Sequence, residues 1–305
     1  MTTTAPLHRL RTEVAGAVLR RVAGPDPSQA RDRIHRTPGP RWFDPESPIG
    51  RVHGDASMFP GGVRALLLQS LHPRAMAAVA AHSGYRGDPW GRLQRTAGFI
   101  ATTTFGTAAD AAQAVAVVKA VHARISGTTS RGEPYRASDP HLLRWVHLAE
   151  IDSFLMAHQR YGRNPLTPAE CDEYVAQTAV IGSALGATDL PTTLAGAHEA
   201  LAGYRPELDG TTEAREAARF LILTPPLPVA VRPAYGAIVA AGVALMPAWT
   251  RRPLGLPYLP VLESTIVRAG GLVMTGAIRW ALDSVPPGEP SAADTRSGTT
   301  GVRTT

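Results

Sequence analysis

Gly91-Arg92-Leu93-Gln94-Arg95-Thr96, followed by Phe99-Ile100 and Phe105-Gly106, leads into an apolar run that ends Val121-His122-Ala123-Arg124-Ile125. On a helix, Arg92, Arg95 and Thr96 share one face because they stand three and four residues apart. That face is polar and cationic. From Asp110 to Ser126, Val115, Val118, His122 and Ile125 recur at helical spacing, so one imidazole projects from a face that otherwise reads as core. The stretch predicts two consecutive helices and points to an all-α fold.

The same periodicity extends outward in both directions. Upstream, Leu7, Leu10, Val14, Val18 and Leu19 against Arg9, Arg11, Arg20 and Arg21 predict an amphipathic helix over residues 6–22, ending at Gly24-Pro25. The segment that follows, through Pro38, Pro40, Pro45 and Pro48, reads as an irregular arm on the surface. Val63 to His72 is apolar almost all round and therefore central, Pro73 kinks or breaks it, and Met76 to His82 continues the pattern. Asp88-Pro89 opens the helix of the deciding stretch, and Gly127 suits a left-handed stop for the next one.

Downstream, residues 128–136 read as a turn-rich loop or short hairpin. Ser138-Asp139-Pro140 starts a helix whose inner face carries Leu142, Val146, His147, Ile151 and Phe154. Thr167-Pro168-Ala169-Glu170 has the cap, proline and acid of a helix start, giving a helix to about Leu185. Further helices are expected over Leu190 to Leu201, Glu213 to Leu223, Ala234 to Leu245 and Leu259 to Asp283. From Ser284 the composition predicts a disordered tail. The chain divides into a helix and Pro-rich arm (1–49), a single multi-helix domain (50–283) and the tail (284–305).

The chain has 305 residues, 44% hydrophobic and 18% charged, enough for a sizeable core. Its formal charge is +6, and Lys119 is the only lysine. The arginines are spread rather than clustered among aromatics, which argues against nucleic acid as a partner. Cys171 is the only cysteine, which excludes an internal disulfide and a Cys-based zinc cluster. Residues 1–22 lack the continuous apolar core of an export signal, so the protein reads as cytoplasmic. Phe220 to Trp249 is interrupted by Pro225, Pro226, Pro228, Arg232 and Pro233. It is a poor membrane span and reads as a buried helix or a membrane-surface patch.

Two histidines stand out. His122 reads either as a satisfied core histidine or as an axial haem ligand, since a neutral imidazole in an apolar slot is what haem iron takes. His147 is its rival, with Glu150 one turn on, and His-x-x-Glu can present both side chains to one metal. A di-iron bundle would repeat the Glu-x-x-His unit, and no second one is seen. Arg92, Arg95 and Thr96 are either a solvated face or donors toward negative charge. His72, His82, Asp55 and Asp152 read as capping, packing or hydrogen-bonding groups.

Taken in order, Gly54-Asp55, Gly61 to Pro73, Gly91 to Thr96, Phe105-Gly106, Val121 to Gly127, Asp139-Pro140, Trp145-Val146-His147 and Asp152-Ser153-Phe154 resemble the MpaB-like oxygenases, a group that includes the latex-clearing proteins, or rubber oxygenases. The resemblance covers roughly residues 50–250. It implies a globin-like helical core around haem b, one proximal histidine and dioxygen-dependent oxidation. Rubber-cleaving members split isoprenoid double bonds to carbonyl products, and a fungal relative shortens a prenyl chain. By motif, His122 matches the proximal histidine, with His147 as second choice. Arg92, Arg95 and Thr96 match the distal Arg-x-x-Lys/Arg-Thr cluster, as groups that polarise bound oxygen or hold a propionate.

The chain departs from that pattern in two ways. The rubber-cleaving enzymes are exported, and they use a distal glutamate where the upstream helix here offers Met76, Ala77 and Ala78. The expected activity is therefore haem b-dependent oxidation of a small hydrophobic molecule, isoprenoid, lipid or aromatic, by dioxygen or peroxide. A non-catalytic protein that binds haem, a hydrophobic ligand or a membrane surface is the alternative.

Overall fold

The computed structural model describes residues 4–84 and 86–283. The expected tail from Ser284 lies outside them. Over the described residues the chain is mostly helical, with one short hairpin.

The N-terminal helix α1 spans Thr4–Ala23. The arm after it is more regular than its prolines predict, because it contains α2 (Pro27–Arg36) and α3 (Pro48–His53). In each the proline occupies the first turn, where its missing N–H costs nothing. α4 (Met58–Gln69) ends before Pro73, which breaks the chain rather than kinking it and starts α5 (Pro73–His82). α6 (Pro89–Phe105) begins where the sequence puts it, and the Asp88 carboxylate accepts the Gly91 N–H.

The next helix corrects the expectation. α7 covers Ala108–His122 and stops four residues short, and Gly127 lies inside strand β1 (Ser126–Thr128), paired antiparallel with β2 (Pro134–Arg136). Its glycine is explained by close approach rather than by a left-handed stop: a Cβ there would meet the Tyr135 hydroxyl at 2.6 Å. Past the hairpin, α8 (Pro140–Tyr161) is capped by Asp139, and α9 (Pro168–Leu185) carries the complete capping box between Thr167 and Glu170. α10 (Leu194–Gly203) starts later than expected, because the Thr193 hydroxyl caps it and Pro191 stays in the preceding loop. A 3-10 turn (Arg205–Glu207), α11 (Thr212–Leu223), α12 (Arg232–Ala244) and α13 (Ala248–Leu254) follow. The last helix, Pro260–Leu282, contains one π-helical turn at Glu263–Val267.

The core is built on α4 and α8, which make the most extensive helix pairing in the molecule. At 22 residues, α8 is about 33 Å long. Trp145, Leu148, Leu155 and Leu67 are essentially inaccessible at this contact. α12 packs on α4, the last helix on α12, and α1 on both α6 and the last helix. Two charged clamps tie distant segments together. Arg64, 3% exposed, donates to Asp152 Oδ2 at 2.6 Å, Ser153 Oγ at 2.7 Å and the Leu245 carbonyl at 2.9 Å. Arg279 grips both Asp55 carboxylate oxygens at 2.8 and 2.9 Å and donates to the Tyr161 carbonyl. Both aspartates act as the hydrogen-bonding groups expected of them.

The outer helices leave apolar surface uncovered. Among the described residues, the helix Pro260–Leu282 is long and apolar enough to cross a membrane, as is the pair Val229–Ala244 and Ala248–Leu254 taken together across a 120° bend. Val261, Ile266 and Val273 on the last helix are each at least 70% exposed.

Candidate functional site

A cavity of about 630 Å³, counting its open mouth, lies where α6, α7, α8 and α9 come together with the end of α3. Phe99, Ile100, Val146, Phe154, Ile181 and Leu185 make its walls mainly apolar. Four titratable side chains enter it: His53, His122, His147 and Glu150.

His147 and Glu150 come from successive turns of α8, as their i, i+3 spacing requires. Both lie deep in the protein while keeping part of their surface open to the cavity. Burial pushes the His147 imidazole down to about 4, so it is neutral at physiological pH, and its Nε2 is buried with no hydrogen-bond partner. Burial pushes the Glu150 carboxyl the other way, up to about 7. Gly182 on α9 permits this packing, because a Cβ there would meet His147 Nδ1 at 2.9 Å and Leu190 Cδ1 at 2.6 Å.

His122 reaches the cavity from the C-terminal end of α7. It is half-buried, and desolvation lowers its pKa. Of the predicted inner face, Val115 is buried and Val118 and His122 are half-buried on α7, while Ile125 lies past the end of the helix. The two rival histidines therefore share one cavity, which their separation of 25 residues does not reveal. Arg92, Arg95 and Thr96 stand on the first two turns of α6, outside the residues that line it. Arg92 is half-buried and donates to Ser83 Oγ at 3.0 Å. Arg95 is exposed and pairs with Asp88 at 3.5 Å, and Thr96 is exposed. At 100° per residue, Arg92, Thr96, Phe99 and Thr103 fall on one stripe of α6. Phe99 and Thr103 of that stripe line the cavity. Arg92 and Thr96 continue it toward the helix N-terminus, with Thr96 about 6 Å along the axis from Ile100.

His53 is the site residue that sequence reasoning missed. Its ring nitrogens meet Thr104 Oγ1 at 2.8 Å and the Tyr174 hydroxyl at 3.3 Å, and its edge faces Phe154. Burial first, and His158 second, bring its pKa down to about 3. It ends a six-residue helix in a proline-rich segment, too short to show periodicity. Of the groups read as structural, His82 bonds the Tyr135 hydroxyl at 3.2 Å, and His72 is buried at the start of α5.

The donor set narrows the chemistry. Three imidazoles whose charge burial disfavours and one carboxyl that titrates near neutrality converge in an apolar enclosure, a set able to ligate a metal and to move a proton. Neither a curated protein nor a solved structure matches the chain. Residues 50–280 match the family model described as ER-bound oxygenase mpaB/B'/rubber oxygenase, catalytic domain. That span contains α4 through α13, every cavity residue and most of the last helix, and so the chain belongs to the mpaB/rubber oxygenase family, whose catalytic domain makes up most of its length.

Proposed function

We propose that this domain is a haem b-dependent oxygenase acting on a hydrophobic small molecule, isoprenoid or aromatic, with dioxygen or peroxide as the oxidant. The observation that carries this reading is the orphaned His147 Nε2 in an apolar cavity that a second imidazole, His122, also enters. A buried ring nitrogen without a partner is costly and calls for a ligand. Neutral imidazole with apolar walls is the environment that haem requires. Bound haem supplies the one-electron and dioxygen chemistry that side chains lack.

His122 would hold the iron, in keeping with the family motif. His147 is a second reading, favoured by its unpartnered nitrogen. Glu150, with its pKa near 7, holds or releases a proton at its carboxyl inside the apolar-walled cavity. It takes the place of the carboxylate missing from the helix that carries Met76, Ala77 and Ala78. Arg92 and Thr96, on the stripe that runs into the cavity, supply donors toward negative charge at its mouth, and Arg95 steadies a propionate or its neighbours. The apolar walls select the substrate.

The test is the absorption spectrum of the purified full chain. A Soret band lost in His122→Ala and kept in His147→Ala supports the first reading, and the reverse pattern moves the ligand to His147. A colourless protein that stays colourless after addition of hemin overturns both.

A further inference from the structure

Away from the cavity, three metal-ligating side chains from separate segments meet at one end of the α4–α8 pair. His72 directly precedes α5, His141 stands in the first turn of α8, and Glu207 ends the 3-10 turn. One donor atom from each lies within 4.8 Å of the other two. Glu207 Oε2 is 3.4 Å from His72 Nε2 and 2.9 Å from His141 Nε2. Two bonds of about 2.0–2.1 Å at a tetrahedral angle put neighbouring donors roughly 3.3 Å apart, which these separations bracket.

The independent observation is His72 itself. It is 2% exposed, and neither ring nitrogen makes a hydrogen bond. Its approach to Glu207 is an ion pair only when the ring is charged, which burial disfavours. A cation between the three groups satisfies the nitrogen without that charge.

The surroundings suit the role. The Tyr204 hydroxyl donates to the His141 carbonyl at 2.9 Å, lies 3.4 Å from His141 Nδ1, and stacks its ring at 4.7 Å, fixing the imidazole as outer partners of metal ligands do. His141 and Glu207 are roughly half exposed, so water has access to a fourth position. Of the nearby guanidinium groups, Arg74 is engaged by Glu133 and Arg131 by Asp209, and Arg144 lies against the Tyr204 hydroxyl.

We propose that His72, His141 and Glu207 form a binding site for one zinc-class divalent cation, which joins the end of α4, the start of α8 and the 205–207 turn. Two imidazoles and one carboxylate are the donors such an ion favours. His141 precedes His147 by six residues, about 9 Å along α8, so the site is separate from the cavity.

The experiment is calorimetric titration of the chelator-treated full chain with Zn²⁺, paired with thermal melts. One equivalent is expected to bind with micromolar or tighter affinity and to raise Tm. His141→Ala and Glu207→Gln, both surface substitutions, are each expected to weaken binding at least tenfold and to abolish the Tm rise, while His147→Ala leaves both intact. No saturable binding overturns the proposal. So does binding that survives both surface variants, or binding that His147→Ala removes.

Discussion

Glu150 and Asp152 leave the same buried helix two residues apart, on nearly opposite sides, and their surroundings differ completely. Asp152 meets Arg64 at 2.6 Å and His198 at 3.2 Å. Burial opposes its charge, but Arg64 and His198 together outweigh that and hold the carboxyl below its usual range. Glu150 has only burial acting on it, and its carboxyl rises to about 7. The paired carboxylate joins α8 to α4 and α10, and its partner Arg64 extends the tie to the Leu245 carbonyl after α12. The other faces a cavity with three imidazoles. Between these two carboxylates, the partnered one is structural and the unpartnered one is part of the site.

The largest expected effect breaks the paired side. Arg64→Leu leaves Asp152 without its main partner in the core, and a loss of about 3–5 kcal/mol in denaturant unfolding is expected. A loss below 1 kcal/mol would mean that His198 alone satisfies the carboxylate.

Glu150→Gln probes the unpaired side and should act in the opposite sense on stability. Oxidation of substrate is expected to fall about 100-fold or more if the carboxyl handles a proton. The unfolded carboxyl releases its proton near 4.5 and the folded one near 7. The folded state therefore binds more protons across that window, so this group's contribution is full below pH 4.5 and is lost as pH rises through 7. The glutamine variant should gain stability relative to the native chain as pH rises, by at most about 1.4 kcal/mol per unit. Melts at pH 5 and 8 read the difference, and a gap that does not widen would place a cation beside Glu150.

The smallest effect sharpens the cavity itself. Gly182→Ala brings a methyl group against His147 Nδ1 and Leu190, and a loss of about 1–3 kcal/mol is expected. On the proposed haem reading, the Soret band should shift if His147 is the ligand, and stay in place if α9 yields instead.

What was legible in the sequence follows the range of the physics involved. Asp88-Pro89, Asp139-Pro140 and the Thr167–Glu170 box are complete within four residues, and each marks its helix correctly. The stop of α7 is not local. It depends on pairing with 134–136 and on Tyr135 over Gly127, so glycine alone misled. Pro27 and Pro48 look like breakers until their first-turn positions are known. At the site, periodicity put His122 and His147 on inner faces, but their meeting depends on how α7 and α8 pack. His53 carried no periodic signal, and the importance of Glu150 lies in what does not surround it.

The Arg279 grip on Asp55 spans 224 positions of chain. At synthesis rates of about 5–20 residues per second, Asp55 waits roughly 10–45 s for its partner to be made. Through that interval α3, α4 and the C-terminal end of α8 lack the guanidinium that holds both Asp55 and the Tyr161 carbonyl. α4 is covered earlier, by α8 and then α12, so what closes last is the tie that locks the Asp55 turn to the end of α8.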